Sequence, residues 1–466
     1  MKKFFLLTLA MLLMTAGMAV AEEGGLEIGL DYRFRVDSLK GTVQEHYSIM
    51  QGLFDPTYAG TPGHDIKNDT IFMNRLGMNL KANPVEDVSM KARLVMYKVS
   101  GHETAGPATG SYFMDRFQVM DGTSGHVPQD NVVRVDYAYA TVSNIFGAPA
   151  WFSVGRRPST GGAPTNYRQN NEKQGTAGIP GIMVDMAFDG MTLGYAPDID
   201  ALPGSYIKLC YGRGFETGLQ EKSASLKDTD FYGLNAALYD TETTHVELQY
   251  QLGVNIFDAP SDGMIVSAPA STSMPGVTLD MNAPVTTNLG DIHWVGGLYT
   301  TKISNLNLFA TAAMSKTDPS GNTNMFGYGM LNDGPGKDKR TGYGVYVGGR
   351  YDVVKTGTKI GVEYNHGTKN WIGMVPAGDD LWTSKLGTRG DVYEVYVIQS
   401  LNRKPIAKKG EAFVRLGYQY YDFEYTGSNS WIGASSKISD LTMASPQLLS
   451  PVDKARDIYL TLDVRF

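Results

Sequence analysis

The chain ends on the stretch Ile458-Tyr459-Leu460-Thr461-Leu462-Asp463-Val464-Arg465-Phe466. Successive side chains of a β-strand point to opposite faces, so the apolar residues from Ile458 to Phe466 share one face and the polar residues from Tyr459 to Arg465 share the other. A strand that is apolar on one side, polar on the other and aromatic at its end fits a water-soluble sandwich poorly. It fits the closing strand of a β-barrel whose outside meets lipid and whose inside meets water.

The N-terminus has the pattern of an export signal. Lys2 and Lys3 precede an apolar run over residues 4–18, and Ala19-Val20-Ala21 is typical of a cleavage site. We therefore expect residues 1–21 to be removed and residues 22–466 to form a single barrel domain. A transmembrane anchor is the alternative, but the run is short and no stop-transfer pattern follows it.

Composition narrows the class of protein further. The 27 Tyr and 54 Gly exceed the usage of an ordinary globular protein, and the 19% of charged residues is low for a soluble surface. Tyrosine suits the interfacial girdles of a membrane barrel. Cys210 is the one cysteine, so neither a disulfide within the chain nor a cysteine-based haem or metal site is expected. The seven His are scattered, and the net charge of −7 disfavours general binding to nucleic acid. The sequence thus predicts no cofactor and no metal.

Segments that alternate apolar and polar residues recur along the chain, the first at Gly25–Asp37. They predict an all-β fold: a transmembrane antiparallel β-barrel of about 16 strands, with short periplasmic turns and long extracellular loops. Strands six and seven are placed near Ile182–Phe188 and Tyr206–Gly214, although Asp189-Gly190 is itself a possible hairpin turn.

The same alternation predicts which charged residues point into the lumen from strands one to five. The expected pore-lining residues are Asp31, Arg33, Arg35, Arg75, Lys91, Arg93, Arg134, Asp136 and Arg157. Because these strands are neighbours, the basic residues form one wall, and arginine and lysine ladders favour anions. The alternative is that these charges pair across strands and only hydrate a polar lumen.

The chain resembles a 16-stranded general or substrate-specific porin, and more narrowly a group of porin-like outer-membrane proteins found in metal- and sulfur-reducing bacteria. The most distinctive stretches are Phe152-Ser153-Val154-Gly155-Arg156-Arg157-Pro158-Ser159-Thr160-Gly161-Gly162-Ala163-Pro164-Thr165-Asn166 and Lys208-Leu209-Cys210-Tyr211-Gly212-Arg213-Gly214-Phe215-Glu216. The resemblance implies a Gram-negative outer-membrane location in contact with lipid and lipopolysaccharide, a homotrimer, and a terminal Phe466 that the barrel-assembly machinery reads.

The resemblance also implies that the third external loop, about residues 158–181, folds inward and constricts the channel. Its charged residues are Arg168, Glu172 and Lys173, a mixed set rather than the several acidic residues of many porins. This departure puts a strong transverse field in doubt.

Passive diffusion of small hydrophilic solutes is the function that the resemblance implies. One alternative is a barrel sheath or scaffold for a partner such as a multihaem cytochrome in an electron conduit. Another is a barrel enzyme, which needs a Ser-His or Asp-His constellation at one rim, an arrangement that a sequence alone does not show. Because the porin resemblance covers the whole mature chain, we expect no enzymatic activity.

Overall fold

The C-terminal stretch pairs with the first strand of the computed structural model, and this pairing closes the sheet. Tyr32 lies opposite Val464, and the backbones of Leu30 and Phe466 exchange two hydrogen bonds of 3.0 Å. The structure describes residues 25–101, 128, 130–157, 161–173, 175, 181–183, 186–219, 227–257, 287–322, 328–375, 379–401, 404, 410–447 and 449–466.

Eighteen strands are found in these described residues. They are β1 (Leu26–Val43), β2 (Tyr47–Ser48), β3 (His64–Val85), β4 (Val88–Val99), β5 (Arg134–Val142), β6 (Ala150–Arg157), β7 (Phe188–Tyr195), β8 (Tyr206–Phe215), β9 (Thr229–Asp240), β10 (Thr244–Phe257), β11 (Asn288–Ile303), β12 (Leu306–Pro319), β13 (Thr341–Val353), β14 (Thr358–Gly367), β15 (Gly390–Ser400), β16 (Glu411–Phe423), β17 (Pro446–Gln447) and β18 (Val452–Arg465). All but β2 and β17, which pair with each other, form one closed antiparallel barrel.

Helical structure is confined to short pieces between strands. Short α-helices span Ile49–Phe54 and Thr165–Gln169, and 3₁₀ turns span Ile145–Gly147, Lys385–Gly387 and Ile438–Asp440. Among the described residues, none of the helices has the length and apolar character needed to cross a membrane.

Short and long connections alternate along the chain. The shortest, 86–87, 241–243, 304–305 and 354–357, lie at one end of the barrel, named here the turn end. Long connections such as 158–187 and 368–389 leave the opposite end, named the loop end. The predicted closed barrel of about 16 antiparallel strands is therefore confirmed, because neighbouring strands pair without a crossover all the way round.

The predicted position of strand six is wrong. The strand is β7, Phe188–Tyr195, and Asp189-Gly190 lies inside it rather than in a turn. Ile182 and Met183, at the start of the predicted strand, are instead fully buried in an apolar cluster. An apolar run that packs inside a barrel looks like a strand in the sequence, and periodicity alone cannot separate the two.

The two faces of the barrel differ in chemistry. Large apolar residues are exposed on the outer face along the strands, for example Ile28, Leu76, Leu193, Leu209, Leu248, Tyr299, Val362, Leu416 and Leu460. The residues between them point inward and are mostly polar or charged. This alternation puts the exposed apolar surface on the outside and the core of the protein inside the barrel.

Part of that core is apolar and comes from connections that turn inward. One cluster joins Met183, Met330, Ile372 and Trp431 from four different connections to Trp294 on β11. The indole of Trp294 donates to the Ile372 carbonyl over 2.7 Å, and that of Trp431 donates to the Phe257 carbonyl over 2.7 Å. The lumen beside β10 to β14 is thus filled toward the loop end.

Candidate functional site

The nine residues predicted to line the pore all lie on β1, β3, β4, β5 and β6. They fall into two groups by exposure. Arg33 and Arg35 have only 1% of their side chains exposed, whereas the side chains of Arg75, Arg93 and Arg134 are 15–19% exposed. The lumen therefore offers two different environments to the arginines of neighbouring strands.

The buried group is held by a carboxylate that comes from a connection rather than from a strand. Asp379, between β14 and β15, forms ion pairs with Arg33 and with Arg415 of β16, the latter at 3.0 Å. Arg33 also pairs with Asp463 of β18 at 2.6 Å. Burial alone would raise the pKa of Asp379, but Arg33, Arg415, Arg75 and Arg35 outweigh that effect and hold it well below its usual range.

Arg35 pairs with carboxylates of β1 and β18 in the wall itself. Its Nε donates to Asp37 over 2.8 Å and its Nη2 donates to Asp457 over 3.2 Å, and the guanidinium lies 4.6 Å from the centre of the Tyr459 ring. Three of these side chains are fully buried and Tyr459 nearly so, so Arg35 has little access to a solute.

A second buried network surrounds Arg168, one of the predicted constriction residues. Its Nη1 lies 2.5 Å from Asp380 and 3.2 Å from Glu394 of β15. Lys385 lies 2.6 Å from Glu394 and also pairs with Glu363 of β14. Arg168 and Lys385 therefore anchor two inward segments, 158–187 and 368–389, on the same carboxylate, Glu394 of β15.

Arginines of the barrel wall donate hydrogen bonds to the backbone carbonyls of the short helix Thr165–Gln169. Arg350 donates to the Tyr167 carbonyl and Arg415 to the Arg168 carbonyl, each over 2.7 Å. Arg465, at the turn end of β18, donates to the Gln169 carbonyl over 2.8 Å. Carbonyl oxygens at the end of a helix have no partner within it, and here arginines of the barrel wall supply the donors.

The other two predicted constriction residues lie near the same end. Lys173 pairs with Asp240, the last residue of β9, at 2.7 Å. Glu172 is exposed, and among the described residues it forms no ion pair. The described part of segment 158–181 thus contacts strand residues near the turn end, although its connection starts at the loop end.

Apart from Asp31 of β1, the remaining predicted pore-lining residues lie on strands β3 to β6, named here the accessible wall. Arg93 binds Asp31 through two hydrogen bonds of 2.5 and 3.0 Å and lies 3.2 Å from Asp136. Arg75 lies 3.9 Å from Asp31, and Arg134 lies 2.7 Å from Asp130. These arginines are partly neutralised but still reach solvent.

Lys91 and Arg157 differ from the other cations of the accessible wall. Both are partly exposed, and among the residues that the structure describes neither forms an ion pair with a carboxylate. Arg157 donates to the Thr192 hydroxyl and lies 5.7 Å from the centre of the Tyr139 ring. The accessible wall therefore carries an excess of positive charge.

Several functional candidates were missed by the sequence reasoning. Asp379 and Asp380 lie in the connection between β14 and β15, and nothing in a loop sequence shows that the loop folds inward. Glu363, Glu394 and Arg415 lie on strands, and their alternation with apolar neighbours could have identified them as lumen-facing. No group of His, Cys, Asp or Glu in the described part of the chain is arranged to hold a metal ion.

Comparisons with known proteins give one family and a set of solved structures. The family model described as "Protein of unknown function (DUF3373)" matches residues 65–466. OmpT, an outer membrane protein of Vibrio cholerae in a trimer form, is 11% identical, covers 95% of this chain and 100% of its own, and has a TM-score of 0.42. An anion-selective porin from Comamonas acidovorans is 9% identical with the same coverage and a TM-score of 0.45. None of the curated proteins matches this chain.

Proposed function

This chain belongs to the DUF3373 family, and we propose that it forms an outer-membrane diffusion channel for small hydrophilic solutes with a mild preference for anions. The observation that carries the proposal is the accessible wall. Its basic side chains are partly exposed inside a barrel whose opposite side is filled by buried side chains.

The outer face of the barrel supports the membrane location. Exposed Leu, Ile, Val and Tyr side chains recur on every second residue, as at Ile458, Leu460 and Leu462 of β18. An outward apolar band on an antiparallel barrel is the pattern that lipid requires. With a cleaved signal at residues 1–21, the chain would be exported and its long connections would face the cell exterior.

The inward segments set the width of the proposed path. Segment 158–181 would act as the constriction, because Arg168 and its neighbours on the short helix are held on the wall by Glu394, Arg350 and Arg465. Segment 368–389 would narrow the lumen further through Asp379 and Asp380. A solute would then pass along β3 to β6 rather than through the centre of the barrel.

The charge of the accessible wall supports the anion preference. Arg75, Arg93 and Arg134 have carboxylate neighbours, so their net contribution to the field is small. Lys91 and Arg157 have no ion pair within the described residues, so we expect them to determine whether the channel prefers anions or cations. Rings and ladders of lysine and arginine favour anions in pores.

Single-channel recording tests the proposal. The refolded protein in a planar bilayer under a potassium chloride gradient should give stable conductance steps with a reversal potential of the anion-selective sign. The variants Lys91→Gln and Arg157→Gln should each shift that potential toward zero. Lys339→Gln is the matched control and should leave it unchanged, because this exposed lysine lies in the connection between β12 and β13 and pairs with Asp318 at 2.8 Å.

Two results would contradict the proposal. A correctly folded barrel without conductance steps would mean that the lumen is closed, and unchanged reversal potentials in both variants would remove the anion preference. A sheath for a cytochrome gains no support from the contacts, because a partner in the lumen would have to displace Asp379 and Arg168 from buried ion pairs. Haem staining of the purified protein checks that alternative directly.

A further inference from the structure

A row of hydroxyl groups crosses the lumen face of strands β5 to β7. Thr141 lies opposite Ser153, and Ser153 lies opposite Thr192. The Thr141 and Ser153 hydroxyls are 2.6 Å apart, and the Thr192 hydroxyl donates to the sulfur of Cys210 on β8 over 3.3 Å. Ser153 and Thr192 are buried, so this row is a polar surface inside the barrel rather than part of its rim.

Arg157 stands at the loop-end side of this row. It shares a face of β6 with Ser153 and Gly155, and Gly155 has no side chain to separate them. A Cβ at Gly155 would approach the Ala138 carbonyl to 2.4 Å, and the residue has a φ of +118°, a conformation that favours glycine. The guanidinium can therefore reach across β6 and donate to Thr192.

The guanidinium of Arg157 is incompletely satisfied. Its Nε is buried and has no hydrogen-bond partner. Cys210 and Tyr139 lie close to it, and neither is a carboxylate. Lys208, two residues before Cys210 on β8, is attracted by Glu247 and repelled by Arg157.

Arg93 on the same wall is an example of an arginine that is paired with carboxylates. It binds both carboxylate oxygens of Asp31 and has Asp136 beside it. Arg157 has the same chemistry without the acid. A buried N–H donor without an acceptor costs free energy, which a bound anion would offset.

We propose that Arg157, positioned by the hydroxyl of Thr192, forms a binding subsite for a small oxyanion in the channel. The planar fork of a guanidinium presents parallel N–H donors that match two oxygens of a phosphate or carboxylate group. The Thr192 hydroxyl accepts from Arg157 and donates to Cys210, so it orients the guanidinium and leaves the anion to the exposed N–H groups of Arg157. The inference rests on the proposed channel, since a solute must reach the lumen to bind there.

Equilibrium dialysis of the folded, detergent-solubilised protein against radiolabelled inorganic phosphate tests the subsite without requiring conduction. The wild type should bind phosphate at one site, and Arg157→Gln should weaken binding about tenfold or more, the loss expected for a charged hydrogen-bonding partner. Arg157→Lys keeps the charge but loses the fork, so its affinity should fall between the two. Lys339→Gln is the control and should bind as the wild type does.

Equal affinity of the wild type and Arg157→Gln would overturn the inference, and so would the absence of phosphate binding by the wild type. If Arg157→Gln does not fold, Arg157→Lys decides the matter: an affinity equal to that of the wild type would overturn the role of the fork. Conductance is measured separately. A barrel that conducts but does not bind phosphate refutes the subsite alone, and a barrel that binds but does not conduct refutes the channel alone.

Discussion

One side of the lumen consists of β14, β15, β16, β18 and β1, and another consists of β3 to β6; both sides are rich in charge. On the first side Glu363, Glu394, Arg415, Asp457 and Arg33 are at most 5% exposed, and inward segments cover them. On the accessible wall the charges of β3 to β6 remain partly in contact with solvent. A buried charge must have a partner, so the covered side could only form with Asp379, Asp380, Arg168 and Lys385 in place.

The difference between the two sides teaches how one barrel can combine rigidity with passage. The covered side gains a network in which each inward segment is tied to strands far away in sequence, as Arg168 is to Glu394. In the proposed channel the accessible wall would present its field to solutes, because its cations are not all neutralised. Charge would then hold inward segments on one side and be available to a solute on the other.

The largest effect is expected from the change Asp379→Asn on the covered side. Removing this charge leaves Arg33 and Arg415 buried without their shared partner, and breaking a buried pair costs about 3–5 kcal/mol of unfolding free energy. Urea unfolding of the folded protein in lipid vesicles, followed by tryptophan fluorescence, measures the loss. Asp318→Asn, at an exposed pair with Lys339, is the control and should cost about 1 kcal/mol or less. A loss of the same size in both variants would mean that burial does not distinguish the two pairs.

A smaller effect is expected in the apolar filling of the lumen. Ile372 is fully buried against Trp294, so Ile372→Val should lower the unfolding free energy by about 0.5–1.5 kcal/mol through the cavity it leaves. The same substitution at Ile207, which is 45% exposed on the outer face, is the matched control and should have little effect. If Ile372→Val were as stable as Ile207→Val, the inward segments would not form a packed core.

An exposed ion pair between β1 and Lys81 of the accessible wall should matter least to stability. Glu27 and Lys81 lie 2.7 Å apart, with 60% and 39% of their side chains exposed. Glu27→Gln should change the unfolding free energy by about 1 kcal/mol or less, since solvent screens such pairs. The urea-unfolding comparison with Asp379→Asn checks this, and a loss as large as that of Asp379→Asn would refute the distinction between the two sides.

The fold could be predicted from the sequence because a barrel in lipid imposes one rule on every strand. The alternation in Ile458–Phe466 and its repeats was enough to predict a closed antiparallel sheet, and the error at Ile182–Phe188 arose where an apolar run packs inside the barrel. The ion-pair partners of Arg33 and Arg168 could not be predicted from the sequence. Asp379 and Asp380 lie more than 200 residues away from them, and no period in the sequence indicates that their loop turns inward.

The contribution of Asp379 to the free energy of unfolding should not depend on pH between pH 7 and pH 5. Its pKa in the folded protein lies well below the ordinary value of 3.8, because the surrounding arginines outweigh burial. A carboxyl group whose pKa is lowered by folding stabilises the folded state at pH values above its unfolded pKa, and loses that effect as the pH falls through its folded pKa. The stability difference between the wild type and Asp379→Asn should therefore stay constant down to about pH 5 and shrink progressively below that, as the unfolded carboxyl becomes protonated around its ordinary pKa of 3.8.

Urea unfolding of both proteins at a series of pH values measures this difference. Other carboxylates titrate in both proteins, so the subtraction isolates Asp379. A difference that halves between pH 7 and pH 5 would show that the arginines do not hold Asp379 ionised. The covered side would then lose its anchor under mildly acidic conditions, and the contrast with the accessible wall would hold only near neutrality.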